Sequence, residues 1–362
     1  MSIVASHTGV DGLAEDLAQH HALIAASSVV YAQALTQLQA LLTGPTAERV
    51  IVERMEHAWR QRTFRAYYER PLLLLAALRY EAITIPEHPL ALAFADEHPR
   101  VELVTRAALT RALSPDRLSL WLLLATRRVQ TNDVSRAVAW RWPASMIDGR
   151  PLALVDVGCS AGLGLVADRL AAPWVDGEGR RLPVDGGRVL ARIGYDAHPI
   201  ELGDRDEGAA WLRACIWPGD LVRLRRLDAA IEAFRGELDT AVRPRVEQVR
   251  ARSVPGRLRR IERELEPDAL ILIVESFVRE YIEQEEAETY QAEMEQWLAA
   301  TPKGRALWMQ LDLARDDREP VAVLTAYPSR GKPIVLARCG YHPIEIAVQP
   351  GAPDRLRAAL AR

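Results

Sequence analysis

The sequence predicts an α/β protein, with an all-α helical bundle over residues 1–148 followed by an open, mostly parallel sheet over 149–362. Two observations carry this. Up to residue 148 apolar residues recur at helical spacing. After Gly149, apolar runs of about 5 to 8 residues end in turn residues and alternate with helical stretches. A length of 362 residues suits two domains of ordinary size.

In the first part, TAERVIVERMEHAWRQ starts with Thr46 in an N-cap position and sets Val50, Met55, Ala58 and Trp59 near one stripe. SPDRLSLWLLLATRRV offers Ser114 as a cap and Pro115 in the first turn, where its missing N–H costs nothing. PLLLLAALRYEAI, from Pro71, is apolar nearly all round and reads as a buried central helix. In the second part PLALVDVG, RVLARIGYD, DALILIVES, RALWMQLDL, VAVLTAYP and PIVLARCGY read as strands. Several lack alternation, as strands covered on both faces do. Between the first two, PWVDGEGRRLPVDGGRV carries Asp-Gly and Gly-Gly turns and predicts a hairpin-like excursion.

Apolar residues make up 49% and charged residues 26%, with a formal net charge of −3. No basic field steers this chain to nucleic acid or to an anionic membrane. Cys159, Cys215 and Cys339 have neither disulfide-frame nor zinc-ligand spacing, so a reduced, cytoplasmic protein without a metal is expected. No run of 18 apolar residues occurs, so no membrane span is expected.

The chemistry-bearing stretch is VDVGCSAGLGLV at 155–166, at the turn after the first sheet strand. In open parallel sheets ligands bind beyond the carboxyl ends of the strands, where this turn lies. Its small residues let backbone approach a ligand, and the following helix is expected to offer free N–H groups. A dinucleotide fingerprint would need glycines where Ser160 and Leu163 stand, and no triphosphate loop is present. The run instead spells D-x-G-x-[GS]-x-G through Asp156, Gly158, Ser160 and Gly162. An acid in place of a phosphate cradle suits a cationic, phosphate-free ligand. A second acid, Asp196, ends the next sheet strand, where a carboxylate accepts from ribose hydroxyls.

That pattern resembles the first motif of class I, Rossmann-like methyltransferases that use S-adenosylmethionine. The resemblance implies that Asp156 meets the methionine amino group, that Gly158, Ser160, Ala161 and Gly162 pack under the nucleoside, and that Asp196 holds the ribose. The ordered set QTNDVSR, LVDVGCSAGLGL, IGYDAHPIEL, WLRACIWP and ILIVESFVREYI further resembles a bacterial family, domain of unknown function 2332. That family commonly carries asparagine at the position of Gly164 and His-Ser where this chain has Glu275 and Ser276. VEQVRARSVP, which should end the third strand, lacks the acid that often meets adenine.

Residues at the end of the fourth strand normally face the transferring methyl, so Glu275 and Ser276, with Tyr281 beyond them, are the candidates for acceptor contact. Gln130, Asn132 and Arg136 are candidates for the substrate pocket, with Asn132 also a good N-cap for DVSRAVAW. Trp211 and Trp217 read as core aromatics and His198 and His342 as turn histidines. The expected function is methyl transfer from S-adenosylmethionine to a small molecule, with the helical bundle as lid and acceptor platform. Two rivals stand beside it: a non-catalytic binding module on the same fold, and another adenosyl- or nucleotide-dependent enzyme.

Overall fold

The chain divides into two units, Met1–Thr131 with Gly203–Arg225, and Asn132–Leu202 with Arg226–Arg362. The computed structural model describes residues 7–361 apart from 148, 185, 204–205, 237–241, 315 and 317–320. The predicted boundary at 148 therefore moves upstream, because residues 134–144 are apolar almost throughout and bury against the sheet.

In the first unit a two-residue pair, β1 (His7–Thr8) and β2 (Thr63–Phe64), accompanies helices α1 (Leu13–Ile24), α2 (Val29–Leu42), α3 (Arg49–Trp59), α4 (Glu69–Thr84), α5 (Arg106–Ala112) and α6 (Leu118–Thr126). α4 is the buried helix its composition predicts, with Leu73, Leu74, Leu75 and Leu78 fully covered. Three of its charged residues are buried too, and each is paired: Arg70 with Asp16 at 2.7 Å, Arg79 with Asp96, and Glu81 with Arg117 at 2.7 Å and with Ser119. A buried charge persists only with such partners.

Two helix starts differ from expectation. α3 begins after Glu48, and Thr46 instead donates its hydroxyl to the Ala40 carbonyl; Ile51, Met55 and Trp59 are buried while Val50 is exposed. α6 begins after Arg117, because Ser114 closes a turn onto the Arg117 N–H through its carbonyl and caps nothing with its side chain. Helix α8 (Glu207–Ala214), built from WLRACIWP and its approach, belongs to this unit. There Trp211 is a core residue whose indole donates to the Arg128 carbonyl at 3.0 Å, and Trp217 lies near Tyr31.

The second unit holds α7 (Val138–Ala144), α10 (Val254–Glu264), α11 (Gln284–Ala300) and α12 (Ala352–Leu360); α9 (Leu221–Arg235) runs into it from the first. All six predicted strands form: β3 (Leu152–Val157), β5 (Val189–Asp196), β7 (Leu270–Ser276), β8 (Ala306–Leu313), β9 (Ala322–Pro328) and β10 (Ile334–Cys339). With β4 (Val175–Asp176), β6 (Arg245–Gln248) and β11 (Glu345–Val348) they make a nine-stranded, mostly parallel sheet ordered β4-β11-β10-β9-β8-β7-β3-β5-β6. The excursion is a hairpin turning at Asp176–Gly179; of the predicted second turn, Asp185 lies outside the described residues.

The five consecutive parallel strands lie in the order β6-β5-β3-β7-β8, so the chain reverses direction across the sheet between β3 and β7. Such a reversal opens a crevice at the carboxyl ends of the two central strands. Beyond β8 the sheet continues as an antiparallel meander, and two successive antiparallel pairings return β10 to the direction of β8. The end of β10 therefore lies at the same carboxyl edge as the ends of β3 and β7.

Side chains alternate across the sheet. Leu152, Leu154, Leu272 and Val274 pack with Trp140, Trp174 and α12 on one face. Val155, Val157, Ile271 and Ile273 pack with α10 and α11 on the other.

Candidate functional site at the carboxyl edge of the sheet

The turn after β3 has left-handed backbone at every second residue: Gly158 at φ 72°, Ser160 at 53° and Gly162 at 77°. That alternation is the physical content of the G-x-[GS]-x-G spacing. Serine tolerates the left-handed region at roughly 1–2 kcal/mol, and here three bonds hold it. Its N–H donates to Asp196 Oδ2 at 2.8 Å, its hydroxyl accepts from Asn132 Nδ2 at 2.7 Å, and its carbonyl accepts from the Ile200 N–H at 3.3 Å. Asn132→Ala is expected to cost about 1 kcal/mol, as loss of one hydrogen bond does, read as a lower urea midpoint.

Asp156 and Asp196 lie on the same face, because Asp156 is level with Gly194 and Asp196 follows two residues on. Asp196 Oδ1 also accepts from the His198 N–H at 2.7 Å, so this carboxylate joins the turn to the loop after β5. The Asp156 carboxyl accepts no hydrogen bond from any described residue, though solvent still reaches it. Burial, and secondarily the negative charge of Asp196, push it up to about 8. A Cβ at Gly164 would stand 2.9 Å from Asp156 Oδ2. The absence of a side chain at Gly164 therefore leaves the carboxyl uncovered.

Two features of the turn differ from expectation. The room left by Gly158 is taken by Val278, whose Cγ2 would stand 2.7 Å from an added Cβ, and that at Gly162 by Val246 and Phe234. These glycines admit protein side chains. The segment that follows, Leu163–Arg169, is a seven-residue 3₁₀ helix in place of the expected α-helix. Ala161 is buried in the same turn.

The fourth-strand candidates separate. Val157 is level with Glu275 and Asp156 with Val274, so Glu275 points to the face opposite Asp156 while Ser276 shares its face. Glu275 is 2% exposed and accepts from the Tyr290 hydroxyl at 2.7 Å and from Gln310 Nε2 at 2.9 Å. Burial raises it to about 7 against the pull of those bonds. The reading of Glu275 as an acceptor contact is therefore corrected: strand alternation turns it into the α11 core. Tyr281 is 48% exposed at the end of a short 3₁₀ turn.

Asp156 and Glu275 have the same linkage to pH. Each folded pKa lies above the unfolded value of 3.8 or 4.5, so between those limits the folded state holds the extra proton. Their contribution to stability is thus greatest in acid and declines as pH rises through about 7 to 8. The wild-type urea midpoint should fall from about pH 5 to about pH 9, and Asp156→Asn should flatten that fall.

Asn132 does not cap the following helix. Asp133 does, accepting from the Ser135 N–H at 2.9 Å, and Asn132 is freed to reach Ser160. The segment beyond is tied to the sheet by Trp140 Nε1 on the Gly164 carbonyl at 2.9 Å and by Trp174 Nε1 on the Ser135 carbonyl at 2.7 Å. Asp133 also meets His342 Nδ1 at 2.8 Å, with Arg226 3.7 Å away. Burial opposes its charge, but bonds from His342 and Ser135 outweigh that and hold the carboxyl well below its usual range. A carboxylate against Nδ1 orients an imidazole in this way.

Arg136 lies against two rings that touch each other, its guanidinium carbon 4.3 Å from the Phe277 centroid and 4.4 Å from that of Tyr341, with the centroids 4.5 Å apart. Phe277 follows Ser276 with left-handed φ 57°, a strained state for an aromatic residue. Each aromatic face contributes about 0.5–2 kcal/mol, whereas burying an ion costs several. Gln130 lies in the other unit, its backbone hydrogen-bonded to Cys215.

Sequence reasoning missed Asp133, Phe277 and Tyr341. For Tyr341 the available signal was the likeness of GYDAHPIEL and GYHPIEI, whose turns both leave strands at this carboxyl edge; Asp133 and Phe277 stand in no such pattern.

Residues 14–347 match the family described as "Uncharacterized protein conserved in bacteria (DUF2332)". The chain belongs to this family. No curated protein matches the sequence. Among the described residues no helix is long and apolar enough to cross a membrane, and no cluster of three or more His, Cys, Asp or Glu residues is placed to hold a metal.

Proposed function

We propose that this family member is a Rossmann-like methyltransferase that binds S-adenosylmethionine at the β3/β7 crevice and acts on a small molecule. One observation carries the reading: Asp156, a partly exposed carboxyl without a hydrogen-bond donor, lies beneath a left-handed turn anchored by Asp196. A deep acid of this kind suits the ammonium end of an amino-acid ligand. Asp196 has lone pairs beyond those given to Ser160 and His198, enough to accept from ribose hydroxyls. At the third-strand end, where an acid was missing, Gln248 gives its amide N–H to the Ala197 carbonyl at 2.9 Å and keeps its own oxygen for an adenine amino group.

S-adenosylmethionine supplies, when bound, a methyl already activated on a sulfonium. The protein's part is alignment and exclusion of water. His342, oriented by Asp133, is the base available at this edge for an acceptor that must lose a proton. Ser276, on the Asp156 face, takes the acceptor-contact role first given to the Glu275–Ser276 pair.

A structure with S-adenosylhomocysteine tests this. The ribose should lie on Asp196 and the amino group on Asp156; a nucleoside bound elsewhere contradicts it. A second reading, a non-catalytic binding module, draws on Val278 filling the room at Gly158. It requires that the crevice take no adenosyl ligand.

A further inference from the structure

We infer that Arg136 is an oxyanion seat, and that the small molecule handled at this edge carries a carboxylate or phosphate. Arg136 is 7% exposed. Its Nε donates to the Tyr341 carbonyl at 3.4 Å, and its Nη2 is buried without a partner among the described residues. No carboxylate of a described residue lies within ion-pair distance of it. The nearest acid in sequence, Asp133, is committed to His342 and to Arg226. The guanidinium charge is thus fixed in place by two rings and a carbonyl, none of which neutralises it. Arginine cannot shed its proton to escape this, unlike lysine.

The seat is built, with its guanidinium carbon against both Phe277 and Tyr341, whose rings lie together on one side of it with centroids 4.5 Å apart. The buried, unpartnered Nη2 belongs to a fork of N–H groups whose shape matches a planar carboxylate or a phosphate in two parallel bonds. Its location also fits a substrate. Phe277 directly follows Ser276 at the end of β7, Tyr341 precedes the His342 held by Asp133, and Asn132 in the same segment touches the β3 turn. An anion gripped by Arg136 therefore brings the rest of its molecule beside the base proposed above. This deepens the proposed function by naming the acceptor class, but the seat itself needs no methyl donor.

The test titrates the full-length protein, without S-adenosylmethionine, with benzoate and with phenyl phosphate, using benzyl alcohol as the uncharged control. Binding is followed by calorimetry and by the NMR signal of the Arg136 Nε–H, assigned by its loss in Arg136→Lys. The expected result is saturable binding of at least one anion at millimolar concentration, with a shifted Nε–H signal and no response to benzyl alcohol. Arg136→Lys and Arg136→Met should weaken it by about ten- to a hundredfold, the worth of charge-assisted bonds. Preference for benzoate assigns a carboxylate acceptor, and preference for phenyl phosphate assigns a phosphate. An Nε–H signal that neither anion moves in the wild-type protein overturns the inference, even if the variants do not fold. Anion binding by a protein with no affinity for S-adenosylmethionine would remove the methyl-donor reading and leave this seat standing.

Discussion

Asp156→Asn is expected to weaken binding of S-adenosylmethionine by about ten- to a hundredfold, the equivalent of one hydrogen bond to a charged group. The same substitution should raise stability near pH 8, because it removes a carboxyl whose ionised form is disfavoured by burial and by Asp196. Opposite signs for binding and stability are what separate a ligand-holding acid from a structural one. Since the free carboxyl titrates at about 8, affinity for a cationic ligand should also rise with pH up to that value, with a proton released on binding below it. Calorimetry at several pH values and urea unfolding of both proteins read all three effects.

Glu275→Ala should destabilise the protein by about 2–4 kcal/mol, since it opens a cavity and strands two donors, each costing about 1–3 kcal/mol when left unsatisfied. Glu275→Gln, which has the shape of the protonated acid, should cost far less near neutral pH, where Glu275 with its raised pKa already carries a substantial proton population. It should leave affinity for adenosyl ligands unchanged, because the side chain faces the α11 core with Tyr290 and Gln310. A methyl-facing Glu275 would behave otherwise, with binding and stability falling together. Unfolding curves and ligand titrations of the two variants decide between them.

Much of this molecule was legible in the sequence because its signals are local. Six strands were readable as short apolar runs, and burial on both faces explains why several of them do not alternate. The turn after β3 was readable because left-handed backbone at 158, 160 and 162 demands small residues at that spacing. What occupies the space beside those residues was not readable, since Val278 arrives from the turn after β7 and Val246 from β6. Which way Glu275 and Ser276 face depends on strand register, which a single run does not reveal. The helix starts at Thr46 and Ser114 failed for a related reason. A serine or threonine near a helix start has several backbone partners within reach, and the tertiary setting chose turns over caps.

The Asp133–His342 pair is the clearest case of information beyond local sequence. Its members are separated by more than half the chain, and only the return of β10 to the direction of β8 brings the histidine turn to the edge where QTNDVSR lies. Neither residue stands in a pattern that marks it alone. Asp133 looks like one more acid after a better-known cap former, and the cap role it takes from Asn132 is what leaves Asn132 for the glycine turn.

The central claim is that the β3/β7 crevice holds a sulfonium nucleoside. Calorimetric titration of the wild-type protein near pH 8 with S-adenosylmethionine and S-adenosylhomocysteine tests it most directly, with Asp156→Asn measured in parallel. The account predicts saturable, single-site binding by the wild-type protein that is markedly weakened by the substitution. No binding of either ligand at millimolar concentration, or binding that Asp156→Asn leaves unchanged, would contradict it.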